Sequence, residues 1–228
     1  VSEDSATSTA VAPESTPPAQ PPARFARALR ATAAKLLLAL FRVRAIDMDR
    51  IPASGAILAG NHVSYADPVL LWCAAPRLVH FMGKAELWEI PVVGRLLTSV
   101  RAFPVRRGSA DREAISAATR LLKSGELVGI FPEGTRVRGS DVLGEGQEGV
   151  AFIAMRAGVP IVPIGIDGTN RIMPEGTHML RFPRVTMCFG EPIALDTYAD
   201  LPRKERLVAI TRELMERITS ELERAREA

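Results

Sequence analysis

The apolar run Ala56-Ile57-Leu58-Ala59 stops at Gly60-Asn61, and a helix start is written at Asp67-Pro68. A short buried strand that turns through a polar loop into a helix is half of an α/β unit, and proline is tolerated in a first helical turn. The loop between them carries His62, with Asp67 following at the spacing His-x-x-x-x-Asp. One tight turn would bring that carboxylate to the imidazole. There it fixes the ring tautomer and supports the imidazolium while the other nitrogen takes a proton. Strand-end loops of α/β scaffolds are common places for chemistry. A His–Asp pair in a loop also serves as a cap or a satisfied polar pair, so both readings stand at this point.

Two chemistries are excluded by what accompanies the pair. No second His or Cys lies at zinc-ligand spacing, and Gly-x-Ser-x-Gly occurs nowhere. What remains is a base in need of a substrate hydroxyl.

The chain's 228 residues allow one full α/β domain with tails, and 47% apolar with 24% charged residues is ordinary globular composition. Cys73 and Cys188 lie in apolar surroundings and are read as buried free thiols, with a single disulfide as the alternative. No apolar run is long enough to span a bilayer, and residues 1–23 lack the apolar segment of a secretory signal. That stretch, rich in Ser, Thr, Ala and Pro, is expected to be a disordered tail.

From Arg24 to Arg44 the chain is basic without an acidic interruption. On a helix, Phe25, Leu29, Ala33, Leu36, Leu40 and Val43 share one face, with Arg24, Arg27, Lys35 and Arg42 opposite. Such a helix docks on the domain or lies in an anionic membrane surface. Nucleic acid fits less well, since aromatic interleaving is sparse.

Further strands are expected at Ala45–Asp49, Leu78–Met82, Leu127–Phe131, Val159–Ile166 (central, from its composition) and Val185–Phe189. Helices are expected around Asp67–Ala75, Asp111–Lys123 (capped by Ser109 or Asp111), Gln147–Ala157 and Leu201–Arg226, with two short turns over Glu86–Thr98. Leu207, Ile210, Leu214, Met215 and Ile218 would pack inward from the last helix. The apolar residues of Glu86–Leu97 are core or the lining of an apolar groove. Arg101–Gly108 reads as an arginine-rich loop whose Arg106 and Arg107 suit phosphate, and Val137–Gly146 as a glycine-rich one. Pro132–Arg136 closes a strand with an acid, a glycine and an arginine. His80 and His178 have no acid at useful spacing and are read as structural.

Asn61-His62-x-Ser64-x-x-Asp67 resembles the signature of the glycerolipid acyltransferases of the 1-acylglycerol-3-phosphate acyltransferase type. Phe103-Pro104-Val105-x-Arg107, Phe131-Pro132-Glu133-Gly134-Thr135-Arg136 and Val159-Pro160-Ile161-Val162-Pro163 resemble that family's second, third and fourth blocks, in order, over residues 45–190. The resemblance implies a single α/β domain, glycerol-3-phosphate acyltransferase-like, over residues 45–228: a mixed, mostly parallel sheet flanked by helices. The 24–44 helix would precede it as a membrane-associating element. It implies acyl transfer from a coenzyme A or carrier-protein thioester to a lysophospholipid hydroxyl, giving phosphatidic acid. No metal or resident cofactor is required, and the setting is the cytoplasmic side of a membrane with anionic lipids.

By the same resemblance His62 is the base and Asp67 its support. Arg107 and Arg136 are phosphate ligands, with Glu133, Gly134 and Thr135 in the acceptor site and Asn61, Ser64 and Arg106 as secondary candidates. Two positions depart from the pattern: Arg101 stands where the family usually has glycine, and Gln147-Glu148 where many relatives have lysine. They motivate the alternative of another lysolipid or glycolipid acceptor. A membrane-surface binding protein without catalysis is the reading from a different class.

Overall fold

The computed structural model describes residues 23–106, 111–136, 143–174, 176–177 and 179–228, the side chains of 23 and 25 aside. The expected tail, Arg107, Ser109, most of the glycine-rich loop and His178 lie outside the described residues.

The described chain folds into α1 (Ala23–Leu40), β1 (Arg44–Ile46), β2 (Ala56–Gly60), α2 (Ala66–Ala74), β3 (Val79–Lys84), α3 (Pro91–Ser99), β4 (Phe103–Val105), α4 (Arg112–Lys123), β5 (Leu127–Ile130), α5 (Gly149–Ala157), β6 (Ile161–Asp167), β7 (Thr186–Phe189) and α6 (Arg203–Glu227). The strands form one seven-stranded sheet in the order β1-β7-β6-β2-β5-β3-β4. Neighbours run parallel, with β6 against β7 the antiparallel pair. β2 and β6 are buried along nearly their whole length, which is why both read as continuous apolar runs rather than alternating ones. The fold is the expected mixed, mostly parallel α/β sheet.

Two cores lie on the two faces of the sheet. One packs α1, α2 and the 85–100 segment on residues such as Leu58, Phe81, Ile164 and Phe189. The other packs α4, α5 and α6 on Ile57, Val128 and Ile161, with Ile210, Leu214 and Ile218 supplied by α6 as its periodicity requires. Gly165 lets α6 lie flush on β6, since a Cβ there would sit 2.1 Å from the Glu221 carbonyl carbon. Asp111 caps α4 by accepting the Glu113 and Ala114 N–H groups. Cys73 and Cys188 are buried free thiols.

Three expectations change. First, α1 docks through Ala26, Arg30, Ala33 and Leu37, rotated from the face drawn through Leu36 and Leu40, which are left exposed. The rotation follows from Arg30, whose guanidinium donates to the Trp72 and Ala75 carbonyls at the end of α2, groups that need a partner where a helix stops. Second, the arginine-rich 101–108 stretch is not all loop, because Phe103–Val105 pairs with Met82–Lys84 as the edge strand β4. Third, the first strand covers Arg44–Ile46, and Met48–Arg50 turns as a 3-10 helix.

Arg101 adopts φ 62, in the left-handed region that favours glycine and is rarely taken by a residue with a side chain. Its carbonyl receives a hydrogen bond from His80 Nδ1 at 3.1 Å. His80 also has an acidic neighbour that local spacing did not show, Glu126, 3.8 Å from Nε2. Burial is the largest influence on His80 and pushes its pKa below the ordinary 6.5; the Arg101 charge acts the same way, against the Arg101 hydrogen bond and Glu126.

A histidine held neutral by the fold stabilises it fully above the unfolded value of 6.5, and that contribution is lost as pH falls below it. Melting temperature is therefore expected to drop between about pH 7.5 and about pH 5.5, and His80→Asn, which keeps a donor for Arg101, to flatten that drop. Equal slopes in the two proteins would remove His80 as the cause.

Candidate active site

The site is assembled at the carboxyl ends of β2 and β5, adjacent parallel strands, where open α/β sheets place their ligands. β2 delivers Asn61 and His62, and β5 delivers Phe131 and the Pro132–Arg136 turn.

Asn61 is buried, and its side chain is a clamp. Nδ2 donates to the Ile166 carbonyl at 2.9 Å and Oδ1 accepts the Ile166 N–H at 2.7 Å. Asn61 therefore ties the loop to β6, one hydrogen bond from each polar atom positioning the loop.

Asp67 is completely buried. Its Oδ2 lies 2.9 Å from His62 Nδ1 and accepts the Val63 and Ser64 N–H groups at 2.8 and 2.7 Å. A buried carboxylate requires such partners, and they hold it in one orientation beneath the imidazole. The polar turn contact and the pairing with the imidazole, alternatives in the sequence, are thus made by the same oxygen. Ser64 contributes to the turn, its Oγ accepting the Ala66 N–H at 3.2 Å.

The imidazole stacks on Phe131 with ring centroids 4.1 Å apart and planes inclined by 15°. Phe131 stacks in turn on Phe81 at 6.0 Å. With Nδ1 on Asp67 and one face on Phe131, the ring has a fixed pose and Nε2 is the nitrogen available to a substrate hydroxyl.

Glu133, also buried, accepts the His62 backbone N–H on Oε1 at 3.0 Å and the Gly144 N–H on Oε2 at 3.2 Å. Burial pushes its carboxyl above the usual range, while the His62 and Gly144 N–H groups pull it down. Glu133 thereby organises the loop around His62, tying it to Gly144. Gly134 takes φ 67, and a Cβ there would lie 2.6 Å from Gln147 Nε2, so Gln147 covers the turn. Thr135 is exposed.

Arg136 places its guanidinium carbon 3.4 Å from the centre of the Tyr65 ring, joining the β5 turn to the His62 loop. The structure thus brings together His62, Asp67, Glu133, Gly134 and, through Tyr65, Arg136. Arg106 is exposed beyond β4, its backbone N–H on Asp111 at 2.8 Å. Phe131, Tyr65 and Gly144 are the members that sequence reading gives no part in the site: Phe131 is named in a block without a role, Tyr65 is a spacer inside a motif, and Gly144 is remote in sequence.

Tyr65 offers a direct check. Tyr65→Ala is expected to raise the acceptor KM about two- to fivefold, the worth of an exposed cation–π contact, with kcat nearly unchanged. Tyr65→Phe should retain wild-type values, and an unchanged KM in the alanine variant would make the stacking incidental.

Among the described residues no group of three or more His, Cys, Asp or Glu side chains could hold a metal ion. The pose of the ring makes proton transfer at His62 Nε2 the chemistry that the described side chains can supply.

Comparison with known proteins agrees with this arrangement. The Acyltransferase family model matches residues 42–167, which include every site residue described above. The chain is 35% identical over 191 residues to a 1-acyl-sn-glycerol-3-phosphate acyltransferase of Bacillus subtilis, spanning 82% of this chain and 92% of that one. It is 28% identical over 158 residues to a chloroplastic 1-acyl-sn-glycerol-3-phosphate acyltransferase of Arabidopsis thaliana, of whose length it spans 44%. The fold matches the crystal structure of the 1-acyl-sn-glycerophosphate acyltransferase PlsC of Thermotoga maritima, with a TM-score of 0.68 over 87% of this chain and 81% of that one, at 24% identity. A fixed His–Asp pair at the strand ends, inside a matched region that fills more than half the chain, places this protein in the acyltransferase family.

Proposed function

We propose that the protein transfers a fatty acyl group from a thioester to the free hydroxyl of 1-acyl-glycerol-3-phosphate, giving phosphatidic acid for phospholipid synthesis. The observation that carries the chemistry is the 2.9 Å contact from His62 Nδ1 to a buried carboxylate already fixed by two backbone N–H groups. The curated relatives, named for this activity, support the acceptor.

The acceptor hydroxyl gives its proton to His62 Nε2 as its oxygen attacks the thioester carbonyl carbon. The carbon–sulfur bond breaks, and the departing thiolate recovers the proton from the imidazolium, whose charge Asp67 has stabilised. The protein supplies no nucleophile, which accords with the missing serine motif. The donor is a coenzyme A or acyl-carrier-protein thioester, and no resident metal or cofactor enters the step.

Arg136 and Arg107 are assigned to the acceptor phosphate, for which a guanidinium fork is suited. No helix among the described residues is long and apolar enough to cross a membrane. The protein meets its lipid substrate peripherally, from the cytoplasmic side of an anionic membrane, through α1, which exposes Arg24, Arg27, Lys35, Leu36 and Leu40.

The test is thiol release from a long-chain acyl-coenzyme A with and without lysophosphatidic acid, and then with an acyl-carrier-protein donor. Release that depends on lysophosphatidic acid is expected. Equal release with a lysolipid lacking the phosphomonoester, or none with either donor, would overturn the assignment.

A further inference from the structure

The segment Met179-Leu180-Arg181-Phe182-Pro183-Arg184, in the connection from β6 to β7, is unusual for a surface loop. Met179, Leu180 and Phe182 are 66%, 57% and 43% exposed, and the intervening Arg181 and Arg184 are exposed as well. Solvent gives no reason to display three large apolar side chains in four residues, and no acid in the segment balances its arginines.

The segment is held in place. The Phe182 ring packs on Phe41 at 5.5 Å, and Arg42 Nη2 donates to the Phe182 carbonyl at 2.7 Å. Arg181 N–H donates to the Ile172 carbonyl at 2.8 Å, and Val185 N–H to the Phe41 carbonyl at 3.1 Å. It is thus fastened to the end of α1, just beyond the exposed Leu36 and Leu40.

Its place in the sheet matters equally. β6 runs parallel to β2, with Ile164 beside Gly60, so β6 ends where the His62 loop begins. Thr186 pairs with Asp167, so the whole connection leaves and re-enters the sheet at the catalytic end. Val69 of α2, at that same end, is exposed too.

We propose that Met179–Arg184 is a second membrane-seating element, inserting Met179, Leu180 and Phe182 into the acyl layer of an anionic bilayer with Arg181 and Arg184 at its phosphates. Apolar side chains interleaved with arginines match the boundary between acyl chains and headgroups, and the choice of a lipid surface rests on that charge complementarity. Together with α1 the segment makes two points of contact, which set the tilt of the protein and turn the catalytic end toward the bilayer. The inference deepens the membrane reading given above and rests on it.

The experiment is vesicle sedimentation of the full chain with phosphatidylglycerol–phosphatidylcholine and pure phosphatidylcholine vesicles, comparing wild type with Met179→Ser/Leu180→Ser. Both side chains are exposed, so folding is not at stake, and Val208→Ser, at an exposed position on α6, is the control. The double variant is expected to bind anionic vesicles about tenfold or more weakly than wild type and the control. Its turnover of vesicle-embedded acceptor should fall in parallel while that of a monomeric short-chain acceptor is unchanged. Unaltered vesicle binding, or wild-type binding to pure phosphatidylcholine as tight as to the anionic mixture, overturns the proposal. An equal loss of turnover on the monomeric acceptor does so too, because it places the segment in acceptor binding instead. Binding is read without turnover, so a protein that acylates neither acceptor yet loses vesicle binding in the double variant sinks the assigned reaction and leaves this inference standing.

Discussion

His62→Ala is expected to lower kcat by about 10²–10⁴-fold, the usual worth of a positioned general base, while the protein remains folded. The fold loses little because the hydrogen bonds that shape the loop do not depend on the ring, whose packing contact is a stack on the face of Phe131. Removing that stack costs about 1 kcal/mol. Asp67 keeps the Val63 and Ser64 N–H groups, and Glu133 keeps the backbone N–H of residue 62, which alanine also carries. The site should survive as a shape without its base, with the acceptor KM little altered, since Tyr65 and Arg136 are untouched. Steady-state thiol release and a denaturant titration on the same preparation check both halves. Activity within about tenfold of wild type would remove His62 as the base; a collapsed denaturation midpoint would make the loss of activity uninformative about chemistry.

The parts of this site that could be read in the sequence are those whose chemistry is local. His62 and Asp67 are five residues apart, so their meeting needs only one turn and follows from the strand–loop–helix pattern around them. Buried parallel strands such as β2 and β6 announce themselves by continuous apolar runs. What spacing does not encode is contact between distant segments. Asn61 reaches Ile166, Glu133 reaches back to His62, and Arg136 lies over Tyr65, each through adjacency that exists only once the sheet has formed. The same holds for α1, whose stripe of Leu and Ala fits several rotations, and one long-range pairing from Arg30 to the end of α2 selects among them. β4 was missed because three residues at a sheet edge are too few to show a period. Arg101 shows the converse, a glycine-like conformation adopted by a residue whose identity gives no sign of it.

Asp67→Asn should cost about 10³–10⁴-fold in kcat, and here the structure separates a structural role from a catalytic one. Three donors converge on Oδ2, from His62 Nδ1, Val63 N–H and Ser64 N–H, while Oδ1 is buried with no hydrogen-bond partner among the described residues. An asparagine amide placed with its NH₂ toward that cluster would set donor against donor. The oxygen must therefore occupy the Oδ2 position, which preserves the loop, and the NH₂ takes the unpartnered Oδ1 position. Stability should fall by about 1–3 kcal/mol, the cost of a buried amide without an acceptor. The chemical consequence is separate and larger, because the neutral oxygen still orients the imidazole but no longer offsets the charge that develops when Nε2 takes the hydroxyl proton. The loss should thus appear in kcat with the acceptor KM nearly constant. Differential scanning fluorimetry and steady-state kinetics on one preparation distinguish the two effects. If stability falls as expected but kcat stays within about threefold of wild type, Asp67 is a turn cap and the proton transfer does not depend on its charge.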